Sequence, residues 1–67
     1  MRLLMKYPFY TYIDETDGHV YWVAKSRLLK GCIGQGDTES AAIDELAINE
    51  TDWLEEAEKF GIAIPKA

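Results

Sequence analysis

From Thr38 to Phe60 the chain contains neither glycine nor proline, and within that stretch Ile43, Leu46, Trp53, Leu54, Ala57 and Phe60 recur at helical spacing. An uninterrupted run of this kind predicts one long amphipathic helix with its apolar stripe turned toward a core. Its ends are also marked. Asp37 or Thr38 can accept hydrogen bonds from the first free amides, and Glu39 in the first turn suits the positive end of the helix dipole. Gly61 sits where a left-handed residue closes a helix, with Pro65 a few residues beyond. In a chain of 67 residues, such a helix leaves about two-thirds of the sequence to build whatever it packs against.

The first half has a different period. Residues 7–13, YPFYTYI, are aromatic and β-branched and alternate, with Phe9, Thr11 and Ile13 on one face and Tyr10 and Tyr12 on the other. Pro8 fits a strand start or an edge, because it has no amide to give to a ladder. Residues 14–19 carry the turn signal Asp17-Gly18. Residues 20–25, VYWVAK, form the second strand of a β-hairpin. On it Tyr21, Val23 and Lys25 face one way, and Val20, Trp22 and Ala24 the other. Residues 26–30 are a connection of undefined shape, and residues 31–36, GCIGQG, a short third strand. Residues 62–64, IAI, are a fourth strand or a docked tail. The expected fold class is α+β: a two-layer β-β-β-α-β arrangement in which one long helix covers one face of an antiparallel sheet.

Size and charge narrow the function. One small domain spanning residues 1–67 is expected, and a chain this short buries only about 60% of its unfolded surface. Self-association is a common remedy for so thin a core, so a homodimer or higher homo-oligomer is expected. Two Trp, four Tyr and two Phe argue against disorder. Twelve acidic and seven basic residues give a net charge of −5. That balance disfavours direct nucleic-acid binding, which relies on Lys and Arg displacing phosphate counterions. It favours a basic protein partner. The single cysteine, Cys32, has no internal disulfide partner, which fits a reducing, cytoplasmic setting. The apolar run after Arg2 (Leu3, Leu4, Met5) is too short for a signal peptide or a membrane span.

The glycine-rich stretch KGCIGQGDTESAA, residues 30–42, invites comparison with phosphate-binding loops, since it runs into a helix start. Its order is G-x-x-G-x-G, which matches neither the P-loop nor the dinucleotide fingerprint. No lysine follows the last glycine. Asp37 and Glu39 occupy the place where an anion would dock and would repel it. The stretch therefore reads as a strand whose glycines admit close neighbours.

The same stretch carries a family resemblance. Gly31-Cys32, Gln35-Gly36-Asp37-Thr38, Ala42-Ile43 and Trp53-Leu54 follow Lys6-Tyr7-Pro8, Asp17-Gly18 and Val23-Ala24, and precede Gly61 and Ile64-Pro65. This ordered set is similar to the HicB antitoxin family and spans nearly the whole chain. The resemblance implies a truncated ribonuclease H-like fold, β-β-β-α-β, and a protein that binds and neutralises a HicA-type toxin, a small basic ribonuclease that cleaves messenger RNA with a histidine. Most members also carry a C-terminal DNA-binding domain, which this sequence is not expected to include. Two segments depart from the pattern. Lys25-Ser26-Arg27-Leu28 stands where the family has an acidic residue, an apolar residue, proline and aspartate, and Glu50 replaces a leucine of the helical stripe.

Several sharper readings are weaker than plain ones. Asp14, Asp37 and helix acids such as Glu45 are candidate ligands for a metal-dependent nuclease, but Asp14 lies in a turn-like DETDG segment and Glu39, Asp44, Glu45, Glu55, Glu56 and Glu58 read as a solvated face. His19, beside the hairpin turn, reads as an exposed spacer rather than a general base. Cys32 reads as an apolar strand residue rather than a nucleophile. No catalytic, cofactor-binding or metal-binding residue is assigned, and no cofactor is expected. The tyrosines carry more. Tyr10, Tyr12 and Tyr21, with Val23, are expected on the sheet face opposite the helix, where exposed aromatics mark an interface. The expected partner-binding residues are Tyr10, Tyr12, Asp14, Glu15 and Tyr21. The function expected is that of a non-enzymatic, antitoxin-like binding protein that covers the active surface of a HicA-type ribonuclease. The alternative is an accessory HicB-like interaction domain with a non-toxin partner, and a metal-dependent nuclease ranks third.

Overall fold

The hairpin is built by its turn. Asp17 and Gly18 both have positive φ, 52° and 81°, the two-residue geometry whose twist matches that of paired strands. In the computed structural model, which describes residues 6–66, this tight turn lets the ladder run to its very ends. Strand β1 (Phe9–Thr16) pairs antiparallel with β2 (His19–Ser26), from Phe9 opposite Ser26 to Thr16 opposite His19. Both strands thus reach further into residues 14–19 than the sequence predicts, because only two residues are needed to reverse the chain. Strand β3 (Ile33–Gly36) pairs antiparallel with β2 on its other side, giving the order β1-β2-β3.

Between β2 and β3 the chain folds into a compact loop. The Ser26 amide donates to the Cys32 carbonyl (3.0 Å), and the Leu29 amide donates to Ser26 Oγ (3.1 Å). Ser26 is itself buried, and the loop drops Leu29 into the core at 1% exposure. The sequence leaves this connection undefined. Its shape follows from one hydroxyl that satisfies a loop amide and one leucine with apolar surface to hide.

Helix α1 (Glu39–Phe60) then crosses the sheet. Thr38 is its N-cap, accepting from the Ala41 amide at 3.0 Å, and Gly61 closes it in the left-handed conformation. The helix packs on β3 and β2 and barely reaches β1. Its contact with the sheet is close: a Cβ on Gly34 would lie 2.3 Å from the Leu46 backbone nitrogen, and one on Gly36 would lie 2.8 Å from the Ala42 nitrogen. These two glycines are thus the floor on which α1 rests. Ala24, Leu29, Cys32, Ala42, Leu46 and Tyr7 form the core, with Phe9, Trp22, Ile43, Trp53 and Leu54 packed around it.

Two expectations need correction. The fourth strand is absent among the described residues. The tail after Gly61 docks instead: Ile62 donates its amide to the Ala57 carbonyl (2.8 Å), and the Tyr7 hydroxyl donates to the Pro65 carbonyl (2.6 Å). Residues 62–64 are too few, and too close to a proline without an amide, to form a ladder once the helix cap has turned them away from the sheet. The order is β-β-β-α. Phe60 is 65% exposed rather than part of the stripe, because the buried face of α1 ends at Ala57. Glu50, the departure from the helical stripe, lies on the buried face at 4% exposure. Its Oε1 accepts the Lys6 backbone amide at 2.9 Å, so the chain's own N-terminal segment satisfies it. Residues 1–5, which include the Leu3–Met5 run, lie outside the described residues.

Candidate partner-binding face

Alternation along the strands decides which side chains face away from α1. Gly34 and Gly36 touch the helix, so their register partners Ala24 and Trp22 point to the same side of the sheet, and across β1 so do Thr11 and Ile13. The other parity, Tyr10, Tyr12, Asp14, Tyr21, Val23 and Lys25, faces the opposite way. The three tyrosines therefore share the face away from the helix, at half-buried to exposed positions.

The tyrosines form an ordered surface. The rings of Tyr10 and Tyr12 stack with centroids 5.9 Å apart and 24° between planes. The guanidinium of Arg27 lies over the Tyr10 ring at 4.9 Å, a cation–π contact. At the other end the Tyr21 hydroxyl reaches Asp14 Oδ2 (3.4 Å) and Thr16 Oγ1 (3.2 Å), and the His19 ring stacks on Tyr21 at 6.0 Å. Val23 sits between Tyr12 and Gln35 in register and is only 1% exposed, so the middle of this face is an aromatic and aliphatic layer rather than an open cleft. Beside Tyr21 there is a shallow depression of about 410 Å³ bounded by Thr16, His19, Gln35 and Asp37.

Of the residues expected to bind a partner, Tyr10, Tyr12, Asp14 and Tyr21 are brought together. Glu15 is not. Strand alternation sends it to the helix side at the hairpin tip, opposite Val20. Arg27 joins the face instead. Its position in the loop after β2 gave no alternation from which to place it, and the cation–π contact depends on the loop's tertiary path.

The remaining candidates are dispersed. His19 is exposed and lies 3.6 Å from Asp37 Oδ1. Glu39 Oε2 accepts the Thr11 hydroxyl at 2.6 Å, which ties the first turn of α1 to β1 and keeps a carboxylate at the helix start. Among the described residues, no three of His, Cys, Asp and Glu come together as metal ligands. Cys32 is buried. Burial pushes its thiol above the ordinary value of 9.0, and the nearby Glu50 charge adds to that shift, so it is held in the un-nucleophilic thiol form. Among the described residues no helix is long and apolar enough to cross a membrane.

In comparisons with known proteins, no family model matches the chain, and no curated protein and no solved structure matches it.

Proposed function

We propose that this protein is a non-catalytic binding module of the HicB antitoxin type, and that its tyrosine face covers the active surface of a small basic ribonuclease of the HicA type. The truncated ribonuclease H-like assignment belongs to the same proposal. The observation that carries it is the stacked Tyr10–Tyr12 pair on the sheet face away from α1, which no other element covers among the described residues. Aromatic residues supply large, rigid contact area and are enriched in interface cores. Asp14 at one end of the face and the net charge of −5 supply attraction for a basic partner, which acts mainly on association rate and specificity.

The test is co-expression with the protein encoded by the adjacent reading frame. A small basic nuclease co-purifies, its toxicity is relieved, and the double variant Tyr10→Ala/Tyr12→Ala loses both. If the adjacent product neither binds nor is toxic, the antitoxin reading falls.

One observation favours a second reading. Arg27 places a cation directly on the tyrosine face, which suits a partner carrying its own carboxylates. An accessory interaction domain with a non-toxin partner would bind in the same place, and Arg27→Ala would weaken that complex. For a strongly basic toxin the same change would tighten binding. A nuclease reading would require metal-dependent cleavage of labelled RNA that Asp14→Asn abolishes.

A further inference from the structure

The outer edge of β1 has no strand beside it among the described residues, and of the backbone amides along it only that of Glu15 is engaged, donating to Asp14 Oδ1 at 2.8 Å. The hydrogen-bond parity of the sheet shows which groups lie there. The Arg27 amide donates to the Pro8 carbonyl (2.9 Å) and the Ser26 amide to the Cys32 carbonyl (3.0 Å). Continued along the β1–β2 register, these place the backbone groups of Tyr10, Tyr12, Asp14 and Thr16 toward β2. Those of Phe9, Thr11, Ile13 and Glu15 point outward. No strand pairs with that side among the described residues. Of the usual devices that discourage pairing, the edge carries only the carboxylates of Asp14 and Glu15 at its far end: between Phe9 and Thr16 there is no proline, no lysine and no bulge, and the strand is rich in β-branched and aromatic residues.

We propose that this edge pairs with the same edge of a second copy of this chain, antiparallel, with the two-fold axis at Tyr12, so that two three-stranded sheets join into one of six strands. Two features select that register. Centring on Tyr12 sets Phe9 opposite Glu15 of the second copy and Thr11 opposite its Ile13, so the outward groups of all four residues come face to face, the Glu15 amide exchanging its Asp14 carboxylate for the Phe9 carbonyl; centring on Thr11 or Ile13 leaves at least one of the four residues without a strand residue opposite it. Charge agrees. Asp14 of one copy comes opposite Tyr10 of the other, whose ring carries Arg27 and whose neighbour across the sheet is Lys25. Centring on Ile13 would instead set Glu15 against Thr11, which already holds Glu39, and two carboxylates would collide. On the helix side, α1 leaves β1 largely uncovered, and Ile13 is 56% exposed. The pairing brings the two Ile13 side chains into diagonal contact. The six-stranded sheet then presents two tyrosine faces side by side, continuous across the axis.

This inference extends the expectation of a homo-oligomer and is tested on the purified chain alone, so its failure leaves the partner reading standing. Sedimentation equilibrium at high micromolar concentration is expected to show twice the 7.6 kDa mass. Under mild oxidation Tyr12→Cys is expected to trap a covalent dimer about tenfold or more faster than Tyr10→Cys. The first places two thiols at the axis within disulfide reach, whereas the second separates them by four residues, about 13 Å. The native Cys32 is buried and does not compete. Asp14→Arg and Arg27→Asp are each expected to weaken self-association by about tenfold, and combining them in one chain restores it. That rescue cannot come from a damaged fold. A protein that sediments at the monomer mass throughout, equal trapping by the two cysteine variants, or a double variant weaker than both single ones would each overturn the proposal.

Discussion

Gly34 shows how much a single hydrogen atom can decide. With Leu46 N and Ala42 O at 2.3 and 2.5 Å from any Cβ built there, the obstacle is helix backbone, which cannot rotate aside as a side chain can. Gly34→Ala must lift α1 off the sheet or break its local geometry. We expect a loss of about 3 kcal/mol or more, read as a lower urea midpoint. By contrast, Gly31→Ala meets no neighbour within 4 Å; it is opposed only by its positive φ of 78° and is expected to cost about 1 kcal/mol. Cys32 gives a pH prediction at the same scale. Its folded thiol titrates above the ordinary 9.0, raised first by burial and then by Glu50. The folded state therefore holds the proton more tightly than the unfolded chain, and stability falls as the proton is lost. The contribution is complete below pH 9 and disappears as pH rises through the raised value. In urea titrations between pH 7 and pH 11, Cys32→Ala is expected to be less stable by a constant packing loss, and that gap is expected to narrow only at the alkaline end, where the native chain loses more.

At the scale of elements, the helix was legible because its signals are local. Thr38, Glu39 and Gly61 each act within one turn of themselves, and a stripe at 3.6-residue spacing needs no knowledge of the partner. Thr38→Ala removes the acceptor of the Ala41 amide and is expected to cost about 1 kcal/mol, seen as a reduced midpoint with unchanged denaturant slope. The hairpin was legible for the same reason, since Asp17-Gly18 is its own turn. The loop of residues 27–32 and the tail of residues 62–66 were not. The loop depends on Ser26 meeting Leu29, and the tail on Tyr7 meeting Pro65, 58 positions away in sequence. Neither contact has a period, and a three-residue apolar segment reads equally as strand or tail until its cap direction is known. Phe60 failed differently. It lies in phase with the stripe, but phase says nothing about where the sheet underneath ends.

For the whole molecule, the central fact is that α1 covers one face and the tyrosines hold the other. If the face captures a basic partner, association is steered by the field of a chain with net charge −5. Raising the salt concentration from low to physiological strength is then expected to slow association by about tenfold or more while changing dissociation little, a split that stopped-flow measurement resolves. The candidate face was partly visible beforehand. Alternation along two strands predicts Tyr10, Tyr12 and Tyr21 on one face, and the register sets them there, with Asp14 beside them because β1 runs on past Ile13. Asp14 and Glu15 both entered the set by nearness to the turn; because the strand continues to Thr16, its parity keeps Asp14 and removes Glu15. Arg27 could not be found this way, because a loop has no parity.

What the chain's residues settled on their own were properties carried by neighbours within a few positions: a capped helix, a two-residue turn, and two strands with a tyrosine side and a core side. What only folding decided were matches between distant segments. The Lys6 amide meets Glu50, the sheet glycines meet the backbone of α1, Tyr7 holds the tail, and the outer edge of β1 is left with no strand beside it among the described residues. The division has one physical cause. Local preferences are set by sterics and by hydrogen bonds that close within a turn, whereas burial, and the pairing that burial demands, depends on which surfaces the finished fold brings face to face.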